Sequence, residues 1–386
     1  MREVHHRSQF RYFFLAIIVV ASILLLEWSA TIEAPFIVFF LVACAWAITI
    51  ALLSSSELLR NGALMCSSVL FSMAVVETCM YYANRSQIII TKTIPVEWRG
   101  NETDIGSLPG PNTTTAFEEF LDGRLIAHVT YRFDANGLRE IPSPVQKGTH
   151  KVVFFGCSFM FGHGVEDDQT LPYYFVQEAK GTFEGFNFAG DGWGPHQMLR
   201  EIETGFVRQV AGTPDLAIYE AIPDHLRRVA GRAPWEDGPK YDLCRGDEAC
   251  YSGPFHSADY VTYRHQLDRS WTVKFFETHS AKLSRPSDIP LFLAVLKRTR
   301  ALLESNGTRF VVVLWDQNEL AKIMMKTLRT NQFDVIALSS VFPESDMKNG
   351  LLTQGDRHPS PATDKAIAAY LWKRIGEPLA YTKHSR

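Results

Sequence analysis

Three apolar stretches crowd the first 83 residues, and no other feature restricts the fold of this chain as much. Tyr12 to Leu26 is almost wholly apolar, with Glu27 and Trp28 behind it. Pro35 to Leu53 and Ala63 to Val76 follow, the last extended by Thr78 to Tyr82. Each approaches the ~20 residues needed to cross a bilayer. In hydrocarbon the backbone must satisfy its own N–H and C=O groups, so such stretches are expected as helices. The basic start, with Arg2, Arg7 and Arg11, is also that of a signal peptide. Two further apolar stretches follow at once, however, and a three-helix membrane domain over residues 1–83 fits better. Glu77 falls near the end of the third span, beside Tyr81 and Tyr82, which suit an aromatic belt at headgroup level.

Basic residues in short loops set the orientation. The N-terminal tail carries three Arg, the first loop carries Glu27 and Glu33 without a basic residue, and the second carries Arg60. That pattern puts the N-terminus and second loop inside and the long C-terminal part outside, as in a multi-pass protein of the inner (plasma) membrane. At 386 residues the chain exceeds one typical domain, and its net charge of −3 gives no support to nucleic-acid binding.

Cysteine usage agrees with this placement. Cys44, Cys66 and Cys79 lie in the apolar spans, where cysteine serves as a small hydrophobe. Cys244 and Cys250 bracket a polar loop in the outer part, and a disulfide between them suits an oxidising compartment. A metal site is the rival reading of that pair, but neither has a Cys-x-x-Cys partner.

Residues 84–145 read as a connector with a strand or hairpin. His128 to Phe133 alternates at period two and Asp134 to Gly137 is a turn. From residue 146 to 386, strand patterns alternate with helical ones. Strands are expected at 151–156, 183–188, 214–220, 309–315 and 333–338. Helices are expected at 170–179, 195–210, 287–305, 317–328 and 361–376. The alternation predicts a parallel sheet covered on both faces, a three-layer α/β/α fold. Residues 230–285 interrupt it as an insertion suited to shaping a substrate groove. Its aromatics, Trp235, Tyr241, Tyr251, Phe255, Tyr260, Tyr263 and Trp271, either stack on sugars or fill a small satellite core, and the core is the preferred reading.

Three blocks carry chemistry. Gly156-Cys157-Ser158-Phe159-Met160-Phe161-Gly162 follows the apolar run Lys151 to Phe155, so Ser158 sits at the carboxyl end of a strand, where open α/β sheets place ligands. Asn187 to Gln197, with Gly190, Gly192 and Gly194, follows the second strand. Asp356-Arg357-His358-Pro359-Ser360 lies near the C-terminus. Ser, His and Asp are the parts that activate a hydroxyl as a nucleophile. His163 and His196 lie near the first two blocks and are read as structural hydrogen-bonders. No metal-ligand spacing and no phosphate loop followed by Lys-Ser/Thr is present, so no cofactor is expected.

Together these blocks resemble the SGNH/GDSL hydrolase superfamily, in particular its bacterial membrane-attached members, over roughly residues 128–376. The resemblance implies a flavodoxin-like parallel sheet and an esterase that works through a serine nucleophile. Ser158 would be that nucleophile, His358 its base, and Asp356 the residue that orients the imidazole. The N–H groups of Ser158 and Gly192 would form an oxyanion hole. Three positions depart from the family pattern. Cys157 stands where Asp is usual, and Asp356 is one residue closer to His358 than in Asp-x-x-His. Pro223 falls where an asparagine would give a third oxyanion donor, leaving Asp224 or His225 to fill the gap. The implied activity is removal of an acyl group, such as acetyl, from a cell-surface glycan or lipid. An O-acyltransferase using the same serine, or a non-catalytic glycan-binding module, are the alternatives.

Overall fold

The computed structural model describes residues 2–29, 34–84, 89–94, 99–121, 123–142, 149–233, 238–256, 267, 269–279, 284–316, 318–342 and 357–382. They divide into two compact units, residues 1–88 with 259–281, and residues 89–258 with 282–386.

The first unit contains α1 (Arg2–Ser29), α2 (Pro35–Leu53), α3 (Glu57–Asn84) and, from far along the chain, α9 (Trp271–His279). Pro35 suits the first turn of α2, where its missing N–H has no helical partner. α2 and α3 are long and apolar enough to cross a membrane, while the described side chains of α1, Ala16–Ser29, form a shorter apolar helix. Small side chains line the inner faces, with Cys44, Ala47, Ala51, Ser67 and Ala74 buried while Leu52, Leu58 and Met65 face outward. Small residues at the seam let the helix backbones approach closely. The Cys44 thiol donates to the Ser67 carbonyl, and Trp46 Nε1 donates to Ser22 Oγ at 2.9 Å. Glu77 is only 1 % exposed. Its carboxylate accepts from Ser270 Oγ at 2.9 Å and from the backbone N–H groups of Trp271 and Thr272 at 2.5 and 3.1 Å. The Tyr81 ring meets Trp271 edge-on at 5.1 Å.

In the second unit, residues 89–142 form more sheet than the single strand or hairpin expected. β1 (Ile89–Ile94), β4 (Thr114–Leu121) and β5 (Arg124–Arg132) make an antiparallel sheet in the order β1-β4-β5. β2 (Arg99–Thr103) and β3 (Gly106–Pro109) pair separately. The expected turn after β5 forms because Asp134 Oδ1 accepts from the N–H groups of Asn136 and Leu138 at 2.8 and 2.9 Å.

The central sheet comprises β6 (His150–Phe155), β7 (Phe183–Asn187), β8 (Leu216–Ala221), β11 (Arg309–Leu314) and β12 (Asp334–Ala337). Its order is β12-β11-β8-β6-β7, and every pairing is parallel. All five lie where the apolar runs predict them. Side chains alternate along a strand, so Val152 and Phe154 enter one core with α5 (Leu171–Glu178) and α12 (Pro361–Leu371). Val153 and Phe155 enter the other, with α6 (Pro195–Glu203), α10 (Ile289–Glu304) and α11 (Glu319–Thr330). All four are 0 % exposed. Burial on both faces explains why the strands read as continuous apolar runs. The single helix expected at 195–210 is two, because Gly205 takes φ +81° between α6 and α7 (Phe206–Ala211). α12 continues through one π-helical turn at Trp372–Gly376.

The 230–285 stretch splits in two. β9 (Pro239–Cys244) and β10 (Glu248–Pro254) form a hairpin in the second unit, packed on α6 and α10. Residues 259–281, which include α9, belong with the first unit. The aromatics follow the core reading where they are described. Tyr241 is buried and donates to Glu203 at 2.6 Å, Phe255 packs on His196, and Trp271 on Tyr81. Tyr251 lies beneath the Arg200 guanidinium. Trp235, Tyr260 and Tyr263 lie outside the described residues.

Candidate active site

β6 ends at Phe155, and the chain turns at once into α4 (Ser158–Phe161). Gly156 permits the turn, because a Cβ there would stand 2.8 Å from Met160 Cβ and 3.3 Å from the Glu220 carbonyl oxygen. Ser158 is therefore the first residue of a helix at the carboxyl edge of the sheet, and its N–H has no acceptor within its own helix. Across from it, His358 comes from the approach to α12. Its Nε2 lies 2.8 Å from Ser158 Oγ, hydrogen-bond distance for a base and the hydroxyl it would deprotonate. The Phe159 ring meets the imidazole edge-on at 5.3 Å.

Cys157 is 0 % exposed, and burial pushes its thiol up to about 11. A thiol kept protonated is a poor nucleophile. Asp356 lies outside the described residues.

The second block supports the first from the side. Asn187, at the end of β7, donates to the Met160 carbonyl at 3.4 Å and accepts from the Ala189 N–H at 3.1 Å. Gly190 lies against the Trp193 ring, and Gly192 adopts φ +80°, which favours glycine at this bend.

The candidates for a third oxyanion donor do not fit that role. Asp224 is held by Arg227 and Arg228, with Arg228 Nε at 2.8 Å. Burial acts against its charged form, but the two guanidinium groups outweigh it and hold the carboxyl below its usual range. A carboxylate so held can only accept. His225 is 0 % exposed, and its Nδ1 is 2.5 Å from the Tyr219 hydroxyl. Burial pulls it well below the ordinary imidazole range, so it is neutral and enclosed. The position left by Pro223 thus contributes structure: Arg228 Nη1 donates to the Trp193 carbonyl at 2.7 Å, tying α8 (His225–Val229), the helix after β8, to the glycine-rich loop.

Two residues escaped the sequence reading. Arg139, 2 % exposed, donates to Asp167 Oδ1 at 3.0 Å and to the carbonyls of Phe161, Gly162 and Val165. It holds the loop that follows α4. Glu119 on β4, also 2 % exposed, lies 2.7 Å from His163 Nε2. His163 is thus tied to the hairpin sheet, and its ring also stacks on His358 with centroids 4.2 Å apart. Neither contact is local in sequence. Glu118 and Glu119 look alike in the sequence, yet alternation sends Glu119 inward and leaves Glu118 beside the exposed His128. No cluster of His, Cys, Asp and Glu able to hold a metal ion occurs among the described residues.

No family model matches the chain, and no curated protein does. Solved structures do. A member of the lipolytic G-D-S-L family from Veillonella parvula aligns at 13 % identity and TM-score 0.35, covering 59 % of this chain and 98 % of its own. TesA aligns at 11 % identity and TM-score 0.36, covering 60 % and 99 %. The psychrotrophic esterase EstA from Pseudoalteromonas aligns at 9 % identity and TM-score 0.35, covering 60 % and 98 %. Likeness at this level assigns no substrate to the present chain.

Proposed function

We propose that this chain is a membrane-anchored serine ester hydrolase of the SGNH/GDSL type. The observation that carries the reading is the 2.8 Å approach of His358 Nε2 to Ser158 Oγ at the carboxyl edge of a parallel sheet. Three N-terminal helices form the anchor, and the catalytic unit lies on the extracytoplasmic side. An acylated glycan or lipid at the cell surface is the substrate, and no cofactor takes part.

The 2.8 Å contact supports a reaction in two steps. His358 Nε2 takes the Ser158 proton as Oγ attacks the acyl carbonyl, and the N–H groups of Ser158 and Gly192 receive the developing oxyanion. His358 then gives its proton to the departing alcohol oxygen, leaving an acyl-serine. Water, deprotonated by His358, attacks that ester, and the carboxylic acid leaves as Oγ recovers the proton. Asp356 is assigned the role of orienting the imidazole.

Incubating the full-length protein in detergent with p-nitrophenyl acetate tests this. Turnover that disappears in Ser158→Ala is expected. Transfer of acetyl to an added glycan, in place of release to water, would make the protein an acyltransferase with the same acyl-enzyme. Absence of any turnover would favour a binding module. A phosphatase reporter fused after residue 90 should be active, and an active cytoplasmic reporter at that point would reverse the topology.

A further inference from the structure

We propose that His163 is a positioning residue for His358: clamped between the carboxylates of Glu119 and Asp191, its ring stacks on the His358 imidazole and sets its orientation. The inference rests on reading Ser158 and His358 as the catalytic pair.

Geometry carries it. His163 Nε2 lies 2.7 Å from Glu119 Oε1, and Nδ1 lies 3.2 Å from Asp191 Oδ2. Nε2 is in hydrogen-bond contact with one carboxylate and Nδ1 lies within ion-pair distance of a second, a setting that favours the doubly protonated imidazolium. The ring is 7 % exposed and cannot exchange these partners for water. The Phe117 ring meets it edge-on at 4.8 Å. On its remaining face lies His358, 4.2 Å away and inclined by 28°. Arg139 fixes the loop carrying His163 through the carbonyls of Gly162 and Val165, and Gly164 N–H donates to the Tyr131 hydroxyl at 2.8 Å. The orientation of His163 is thus imposed from three elements, and the stack passes it on to His358.

Burial alone would lower the His163 proton affinity, but Asp191 and Glu119 outweigh it and raise the group to about 10, so the ring keeps both protons, and its hold on the two carboxylates, across neutral pH. Among the described residues, the titratable and charged groups near His163 include Glu119 on β4, Tyr131 on β5, Arg139 beneath the loop and Asp191 after β7.

The test follows fluorophosphonate labelling of the full-length protein in detergent at about pH 8, resolved into the saturating labelling rate and the probe concentration that gives half of it. His163→Gln loses the stack and should lower the saturating rate by roughly 10- to 100-fold while leaving the half-saturating concentration unchanged. Asp191→Asn loosens one side of the clamp and should lower the same rate by less. Its side chain is 27 % exposed, so this variant carries the test alone if His163→Gln does not fold. A saturating rate equal to wild type in the folded variants, or a change confined to the half-saturating concentration, overturns the proposal. Wild type that takes no label removes the catalytic pair itself, and the proposal falls with it.

Discussion

His358 Nε2 reaches the Ser158 hydroxyl at 2.8 Å although 200 residues separate them in the chain. A serine at its free pKa is a weak nucleophile, so the two groups should fail together. Ser158→Ala and His358→Ala should each lower kcat by several orders of magnitude, and the double variant should be little worse than either. Steady-state rates on p-nitrophenyl acetate read this, with circular dichroism to show that the fold persists. Multiplicative losses would mean that the residues act independently.

Glu220 at the end of β8 makes stability depend on pH. Burial raises its carboxyl to about 7, the donated N–H of Trp315 working against this. The folded chain holds a proton that the unfolded chain releases near pH 4.5, so this contribution is full below that pH and lost as pH rises through about 7. Ionisation should cost on the order of 3 kcal/mol. Glu220→Gln should melt with wild type at acid pH and above it at pH 8. Parallel melting curves across that range would remove Glu220 as the cause.

Glu77 accepts from the first N–H groups of α9 and from the Ser270 and Thr272 hydroxyls. A carboxylate suits the positive end of a helix, and removing it leaves several donors without their partner. Glu77→Leu should destabilise by about 2–4 kcal/mol, and Glu77→Gln, which keeps one acceptor oxygen, by less. Thermal unfolding in detergent measures both, and a Leu variant as stable as wild type would contradict the capping role.

The sulfur atoms of Cys244 and Cys250 meet across the β9–β10 hairpin, with Cα atoms 6.0 Å apart. Unreduced peptide mapping should find them linked, and reduction should cost roughly 2 kcal/mol. Free alkylated thiols at both positions would show that this unit does not reach an oxidising compartment.

The parts legible in the sequence are those whose signal is local. A strand buried on both faces must be apolar throughout, so Val152 to Phe155 and Phe310 to Leu314 announce themselves. Ser158 follows an apolar strand run and His358 lies just before a helical one, so both stand at positions the local pattern marks. What the sequence hides is pairing at a distance. The inward turn of Glu119 depends on the register of β4 against β5, and Glu77 finds its partners 193 to 195 residues away. The sequence presents His163 only as a structural hydrogen-bonder, since its stack on His358 requires Glu119 and Asp191 to be placed first. The break at Gly205 was hidden because glycine is tolerated in a helix and only its positive φ reveals the turn.

Ser158, not its neighbour Cys157, is assigned as the nucleophile, and active-site labelling distinguishes the two residues. A fluorophosphonate probe should modify the wild-type protein at Ser158 and Cys157→Ala at the same residue, while leaving Ser158→Ala unmodified. Labelling that survives in Ser158→Ala, or that is lost in a folded Cys157→Ala, would contradict the account.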